Sequence, residues 1–205
     1  MSIEYKNPAI AADLVLLRYD TSVNDLLVCV HRRLNEPHKG ELALPGVLMG
    51  YDEDINSALQ RAAEKVDVTS MGVPHQLLVR DMIGRDSRFR VISLPHVAVT
   101  NEVGSGTWLS ATDFMQATEQ LLPFDHDDIV CEAVSVSGNS VEQDPDMFAE
   151  LMGDITIPNA KRLAEVTHSG ASPASFKNLF ARLYQRTGET IITGRGRPTA
   201  LYEPR

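Results

Sequence analysis

The last third of this 205-residue chain is divided by proline and glycine into short segments, so that only short helices and strands are predicted there. Ser172-Pro173 predicts the start of a helix, because proline fits the first helical turn, and Gly188 predicts the end of that helix. Two shorter helices are predicted before it, at 145–152 and 158–168. Two strands are predicted after it, at 190–193 and 199–203. The segment must therefore fold as a few short helices closed by a β-hairpin.

The predicted helix after Pro173 has one apolar side and one basic side. Its apolar side chains recur at i, i+3, i+4, i+7 and i+8, namely Phe176, Leu179, Phe180, Leu183 and Tyr184. The other side carries Lys177, Asn178, Arg182, Gln185 and Arg186. Amide and guanidinium groups can read base edges in a major groove, so this side is a candidate DNA surface. Three helices and a hairpin are the winged-helix arrangement, in which Arg195 and Arg197 would lie in the wing.

The charge of the chain is distributed unevenly. The whole chain has a net charge of -9, which by itself argues against nucleic-acid binding. Residues 155–205, however, contain eight Lys and Arg against three Glu, a net charge of +5, so the remainder carries -14. This asymmetry indicates an acidic body followed by a basic C-terminal part.

The two cysteines and the hydropathy pattern predict where the protein is found. Cys29 and Cys131 have no metal-ligand spacing and lie in apolar segments, so we expect small buried side chains in a reducing compartment. The sequence has neither a signal-peptide pattern nor an apolar segment long enough to cross a membrane. We expect a cytoplasmic protein that does not bind membranes.

Residues 1–140 read as strands interrupted by helices, an α+β pattern. Strands are predicted at 12–19, 26–32, 75–79 and 91–100, and helices at 54–66 and 124–136. The first two strands are separated by a polar turn and form a hairpin. Pro95 cannot donate to a β-ladder, so it predicts a bulge or an edge. Gly138-Asn139-Ser140 is predicted to be the boundary between two domains.

Several ordered segments resemble the Nudix-related transcriptional regulators of NAD metabolism. Glu53 is followed after seven residues by Arg61, as in a Nudix box, although Val47 stands where the first glycine of that box belongs. The other segments that carry the resemblance are Leu27–Pro37, Gly40–Gly46, Asp52–Asp54, Arg88–Ser93, Phe124–His126, Gly196–Pro198 and Leu201–Tyr202. The resemblance covers nearly the whole chain.

This resemblance implies a Nudix-like α/β/α sandwich domain in residues 1–140, followed by a winged helix-turn-helix domain in residues 141–205. It implies a ligand-responsive regulator, a repressor, which binds double-stranded operator DNA as a homodimer and needs no cofactor. The effector would be ADP-ribose or a related NAD metabolite, and a sugar is the alternative. Arg32, Arg88 and Arg90 are candidates for contacts with its phosphates, because guanidinium groups suit phosphate oxygens. Lys177 and Asn178 would contact base edges, and Arg182 and Arg186 would contact phosphates.

The Nudix box departs from the pattern that holds Mg²⁺ in the hydrolases. Ala62 follows Arg61, and the usual Glu-Glu pair is Lys65-Val66, or Glu64-Lys65 if one residue is deleted. The Coulomb repulsion between a lysine ammonium group and a neighbouring divalent cation is about a few kcal/mol. We therefore expect neither a bound metal ion nor a catalytic residue. Glu53, Arg61 and Glu64 would remain as box remnants on a solvated helix face, where Arg61 and Glu64 form an i, i+3 ion pair. A Mg²⁺-dependent pyrophosphohydrolase of ADP-sugars and a pure interaction module are the alternatives.

Overall fold

The computed structural model describes residues 7–167, 173–192 and 198–205. The strands in this part of the chain are β1 Ala9–Asp20, β2 Asp25–Arg32, β3 Leu42–Ala43, β4 Gly46–Leu48, β5 His75–Gln76, β6 Val91–Ser93, β7 His96–Val99, β8 Thr107–Ser110, β9 Tyr184–Ile191 and β10 Thr199–Pro204. The helices are α1 Ile55–Glu64, α2 Ala111–Gln116, α3 His126–Gln143, α4 Pro145–Met152, α5 Ile157–Val166 and α6 Pro173–Leu183. None of these helices is long and apolar enough to cross a membrane.

Strand β1 is the centre of the fold, and its alternating side chains build two separate cores. It pairs antiparallel with β2 and β4 and parallel with β6 and β7. Val15 and Leu17 point to the side covered by α2 to α6, whereas Leu14 and Leu16 point to the side covered by α1. This period-2 division produces a sheet with helices on both faces, which confirms the expected α/β/α sandwich.

Pro95 interrupts the sheet without shifting its register. Ala11 faces Ser93 before the interruption and Leu14 faces His96 after it, so the same offset continues across the gap. The ladder with β1 therefore has no bulge at this proline, while β6, just before it, has β1 as its one strand partner among the described strands. Proline removes one ladder donor, and the chain continues because Leu94 donates its N–H to the carbonyl of Ala11.

Helix α1 begins where the sequence predicts. Asp54 is its N-cap, and the carboxylate accepts a hydrogen bond from the backbone N–H of Ser57 at 2.8 Å. Ala58, Leu59, Ala62 and Ala63 form the buried stripe. The helix ends at Glu64, two residues before the predicted end.

Helices α4 and α5 also follow their capping residues. The side chain of Asp144 caps α4 through the N–H of Met147 at 3.0 Å, with Pro145 in the first turn. Gly153 ends this helix at a φ of 57°, a left-handed conformation that glycine adopts without strain. Thr156 caps α5 in the same way, and the helix begins at Ile157, one residue before the predicted start.

Gly138-Asn139-Ser140, where the sequence predicts a domain boundary, lie inside α3. A Cβ atom on Gly138 would overlap the side chain of Thr167 at the end of α5, so the missing side chain permits close helix–helix contact. Gly138 therefore indicates close packing of two helices and not a linker. Helix α3 consequently passes without interruption from the sheet to the C-terminal helices, and one apolar cluster extends from Val15 to Tyr184.

The predicted last helix is shorter than expected and is followed directly by a strand. Helix α6 ends at Leu183, and β9 starts at Tyr184, so Gly188 lies within β9 and does not stop the helix. Pairing of β9 with β10 extends back to Tyr184, which faces Pro204. The ladder thus supplies the hydrogen bonds that further helical turns would have made. Arg186 lies on β9 as a result, which corrects its assignment to the helix.

Candidate ligand-binding cleft and candidate DNA surface

A cavity of about 570 Å³ opens beside the middle of β1, within the size range of small-molecule sites. The charged side chains that line it are five cations and two carboxylates, namely Arg32, Arg33, Lys65, Arg85, Arg88, Asp13 and Asp86. His31 and His126 also line it. The described lining is thus cationic although the protein as a whole is acidic. Such a lining favours an anionic ligand.

A buried ionic cluster forms the floor of this cleft. The guanidinium of Arg85 donates to Asp13 at 2.6 Å and to Asp125 at 2.7 Å, and its side chain is only 5% exposed. Ser93 donates its hydroxyl to the same Asp13 oxygen at 2.7 Å. Burial alone would raise the pKa of Asp13, but the positive charge of Arg85 and the hydrogen bonds from Ser93 and Arg85 hold it below its usual value. Asp13 is therefore ionised and fully engaged.

His126 is buried next to that cluster. Burial lowers the pKa of His126 to about 4, against the opposing attraction of Asp13. The ring is therefore neutral near pH 7, in agreement with its Nδ1 accepting the backbone N–H of Leu44 at 3.1 Å. His126 is thus a buried, hydrogen-bonded side chain that fixes the backbone at Leu44.

Phe124 connects the cleft to the start of α3. Its φ of 63° is in the left-handed region, where a non-glycine residue is uncommon. Its ring lies under two cations, with the guanidinium carbon of Arg33 at 4.9 Å and that of Arg85 at 5.6 Å from the centroid. These contacts hold Phe124 in the cleft wall, two residues before α3 begins.

Two of the three predicted ligand-contacting arginines line the cleft. Arg32 donates to the carbonyl of Gly40 at 2.9 Å, and Arg88 forms a two-pronged pair with Asp86 at 3.0 and 2.7 Å. Arg90 is exposed and is not part of the described cavity lining.

The residues that match the Nudix-box pattern lie next to the cleft. Arg61 binds both carboxylate oxygens of Glu53, at 2.9 and 2.6 Å, so the predicted i, i+3 pair with Glu64 is replaced by a pair with Glu53. Of residues 53–65, all of which the structure describes, Lys65 alone lines the cavity. Its ammonium group donates to the carbonyl of Gly46 at 2.5 Å.

A divalent cation does not fit these residues. Mg²⁺ prefers oxygen ligands, chiefly carboxylates. The cavity carboxylates Asp13 and Asp86 are engaged by arginines, and the ammonium of Lys65 lies on the side that the box supplies. The described ranges contain no group of three or more His, Cys, Asp or Glu that could hold a metal ion.

Helix α6 presents part of the predicted DNA surface. Phe176 and Phe180 are buried and stack on each other at 5.8 Å between centroids, whereas Lys177, Asn178 and Arg182 are exposed. Arg186 extends from β9, with its Nε 3.3 Å from the hydroxyl of Tyr202. The predicted wing residues Arg195 and Arg197 lie outside the described residues.

Sequence reasoning missed several members of the cleft. Arg33 adjoins Arg32 at the end of β2, and this double arginine was a usable signal for a second cation. The sequence indicates that Lys65 opposes metal binding, but it does not indicate that Lys65 lines the ligand site. Asp13 and Arg85 are 72 positions apart, and nothing in the sequence indicates that they meet.

Comparison with solved structures identifies the architecture. The chain is similar to the crystal structure of Shewanella oneidensis NrtR complexed with a 27mer DNA, at 25% identity, over 96% of this chain and 93% of that chain, with a TM-score of 0.73. The isolated NUDIX domain of the same protein, complexed with ADP ribose, matches 63% of this chain and 88% of its own at 26% identity and a TM-score of 0.52. A MutT/nudix family protein from Enterococcus faecalis shares the fold over 100% of this chain and 89% of that chain, at 19% identity and a TM-score of 0.70. No protein-family model and no curated protein sequence matches.

The fold is therefore that of a Nudix-like protein with a C-terminal helical extension and a β-hairpin. Over nearly its whole length the chain resembles, more particularly, the Nudix-related transcriptional regulators, as the sequence motifs predicted.

Proposed function

We propose that this protein is a ligand-responsive, DNA-binding transcriptional repressor whose Nudix-like part, residues 1–140, senses ADP-ribose or a related NAD metabolite. The observation that carries the proposal is the match to a protein solved on DNA, which includes the C-terminal helices and hairpin as well as the sheet. Residues 141–205 act as the winged-helix DNA-binding part, and the active species is a homodimer in the cytoplasm.

The exposed side of α6 supports DNA binding. Phe176 and Phe180 fix the helix against the core, so its opposite side is held rigidly toward solvent. Lys177 and Asn178 lie early on this helix, where a recognition helix contacts base edges, and Arg182 lies further along, near phosphates. The basic character of residues 155–205 would attract the DNA backbone. Arg186, on β9, would contact DNA phosphates from the hairpin.

The cationic cleft supports a nucleotide effector. Its surplus of positive side chains suits a diphosphate, and its volume of about 570 Å³ suits a ligand of nucleotide size. The relative whose NUDIX domain was solved with ADP ribose supplies the specific candidate. A sugar without phosphates would leave the cationic lining uncompensated, which makes it the weaker alternative.

Helix α3 provides a physical route from effector to DNA. Its first turn borders the cleft, where Asp125 is held by Arg85 and His126 lines the cavity. Its last turns pack against α4 and α5, and α6 is packed on the same apolar cluster. Effector contacts at the start of α3 would bias the position of the C-terminal helices in each protomer and so change the spacing of the two DNA-reading helices in the dimer.

The box geometry supports a sensor over an enzyme. Both oxygens of Glu53 are bound to Arg61, Ala62 carries no carboxylate, and the cleft residue of this segment is Lys65. A Nudix hydrolase relies on carboxylates that hold Mg²⁺ against the diphosphate. We therefore propose that the protein does not hydrolyse its ligand.

The test is a titration of the full chain against labelled DNA from its own upstream region, by fluorescence anisotropy at stated salt, with and without ADP-ribose. We expect specific binding that ADP-ribose weakens. Lys177→Glu should weaken binding by at least tenfold, whereas Lys39→Glu, an equal charge reversal at an exposed loop position, should change it little. Specific binding in the absence of any response to ADP-ribose would remove the proposed effector, and no specific binding would remove the regulator.

A further inference from the structure

Lys65 lines the cleft. In the sequence it occupies a position where the Nudix box has a glutamate that binds a metal ion. It is the C-cap of α1, directly after Glu64, and it lines the cavity while the neighbouring Glu53 and Glu64 do not. Its Nζ reaches across to the carbonyl of Gly46, at the start of β4. An ammonium group has three N–H donors, and Gly46 accepts one of them.

The surroundings of Lys65 are unusually cationic. Partial burial in the cleft lowers the pKa of Lys65, and the neighbouring guanidinium groups of Arg33 and Arg61 lower it further, with Asp13 opposing. Burial and the charge of Arg88 likewise lower the pKa of Arg33. Cations held close together repel each other, and an anion bound between them relieves that repulsion. The free cleft is therefore preorganised for negative charge.

We infer that Lys65 takes the place of the divalent cation, so that this cleft binds a diphosphate group without metal. This inference rests on the proposed sensing function and names how its ligand is held. Lys65 approaches the diphosphate from α1, and Arg33 approaches it from the end of β2. A protonated lysine supplies one positive charge and hydrogen-bond donors at a fixed position, whereas Mg²⁺ would supply two charges but needs carboxylates.

Metal-free recognition has a chemical consequence for the sensor. A lysine neutralises the diphosphate without a bound water that can be activated as a nucleophile. The ligand would thus be held intact, and its occupancy would follow the concentration of the ligand and not that of the metal. Lys65 would thus add to the effect of Ala62, which carries no carboxylate, in keeping the site from hydrolysing its ligand.

The experiment measures binding to the full chain by calorimetry, in EDTA and in excess Mg²⁺, with three probes: ADP-ribose, inorganic pyrophosphate and adenosine. We expect ADP-ribose and pyrophosphate to bind in EDTA, with Mg²⁺ giving no gain in affinity, and adenosine to bind far more weakly. Lys65→Met should weaken ADP-ribose binding by about 10- to 100-fold, because it removes a charged hydrogen bond. Lys65→Arg should retain most of the affinity, and Lys161→Met, which removes an exposed lysine from α5, should retain all of it.

Lys65→Glu supplies the sharpest contrast, since it should abolish binding in EDTA and recover part of it when Mg²⁺ is added. Diphosphate binding by the natural chain that requires Mg²⁺ would overturn the inference without any variant having to fold. Unchanged affinity in a folded Lys65→Met protein would overturn it as well. Specific operator binding with no metal-free diphosphate binding would leave the regulator standing and remove this inference. The opposite pattern, with metal-free diphosphate binding but no operator binding, would keep the inference and remove the regulator.

Discussion

The substitution Gly138→Ala tests whether residues 138–140 belong to a tightly packed helix or to a linker. A Cβ atom at this position would lie inside van der Waals contact of the Oγ1 and Cβ atoms of Thr167. Thr167 is buried, and its hydroxyl donates to the carbonyl of Leu163 at 2.9 Å, so the side chain has no free direction in which to move. The two helices would have to separate.

The expected cost follows from two opposing effects. Overpacking of this kind costs about 1–3 kcal/mol, and overlap with two atoms of an immobile side chain places it near the upper end. Alanine is a better helix former than glycine by about 1 kcal/mol in a helix interior. We therefore expect Gly138→Ala to lower the free energy of unfolding by about 2 kcal/mol. In a linker, or in a helix end without this contact, the same change would raise it or leave it unchanged.

Urea denaturation followed by circular dichroism measures this difference. Asn139→Ala is the matched control, because Asn139 is the exposed neighbour in the same helix and should gain a few tenths of a kcal/mol. Combining Gly138→Ala with Thr167→Gly moves the small residue to the other helix and should show a favourable coupling of about 1 kcal/mol or more. A stabilised Gly138→Ala protein, with no coupling to position 167, would refute the packing argument.

Two further predictions concern the floor of the cleft. Arg85→Met leaves Asp13 and Asp125 buried without their cation and should cost about 3–5 kcal/mol of unfolding free energy at pH 7. Part of this loss should return at pH 5, because burial without Arg85 raises the pKa of Asp13 and this carboxylate then takes up a proton. Equal stability of the variant and the natural chain at pH 7 would contradict the cluster. Because the pKa of His126 falls from 6.5 to about 4 on folding, the unfolded chain binds the proton first. The natural chain should therefore lose up to about 3 kcal/mol as the pH falls from 6.5 to 4. His126→Asn should remove most of that slope in urea titrations, and an unchanged slope would show that other groups cause it.

The elements that the sequence predicts well are those with local signals. Helix α1 begins after the capping residue Asp54, and α4 lies between Asp144 and Gly153, because capping depends on residues within one helical turn. The errors occur where a distant contact overrides the local signal. Gly138 looks like a helix breaker until Thr167 is opposite it, and Gly188 looks like a helix stop until β10 pairs beside it.

The cleft illustrates the same limit. Arg32 and Arg88 could be proposed from motif position, since both adjoin segments that resemble a known family. The cluster of Asp13, Arg85 and Asp125 joins three parts of the chain that are far apart in sequence, so only the fold brings them together. Side-chain charge alone does not distinguish the residues of the cleft, because Arg90 carries a guanidinium group as Arg88 does but is not part of the described cavity lining.

The apolar cluster that extends from Val15 to Tyr184 ties the sheet and the C-terminal helices to a single folding event. Since α3 belongs to both parts without a break, neither part can unfold while the other keeps all of its buried contacts. A ligand bound near the start of α3 would therefore protect amides of the C-terminal helices from hydrogen exchange, far from the cleft itself. Under the proposed function, effector binding would therefore change the stability of the C-terminal helices as well as their position.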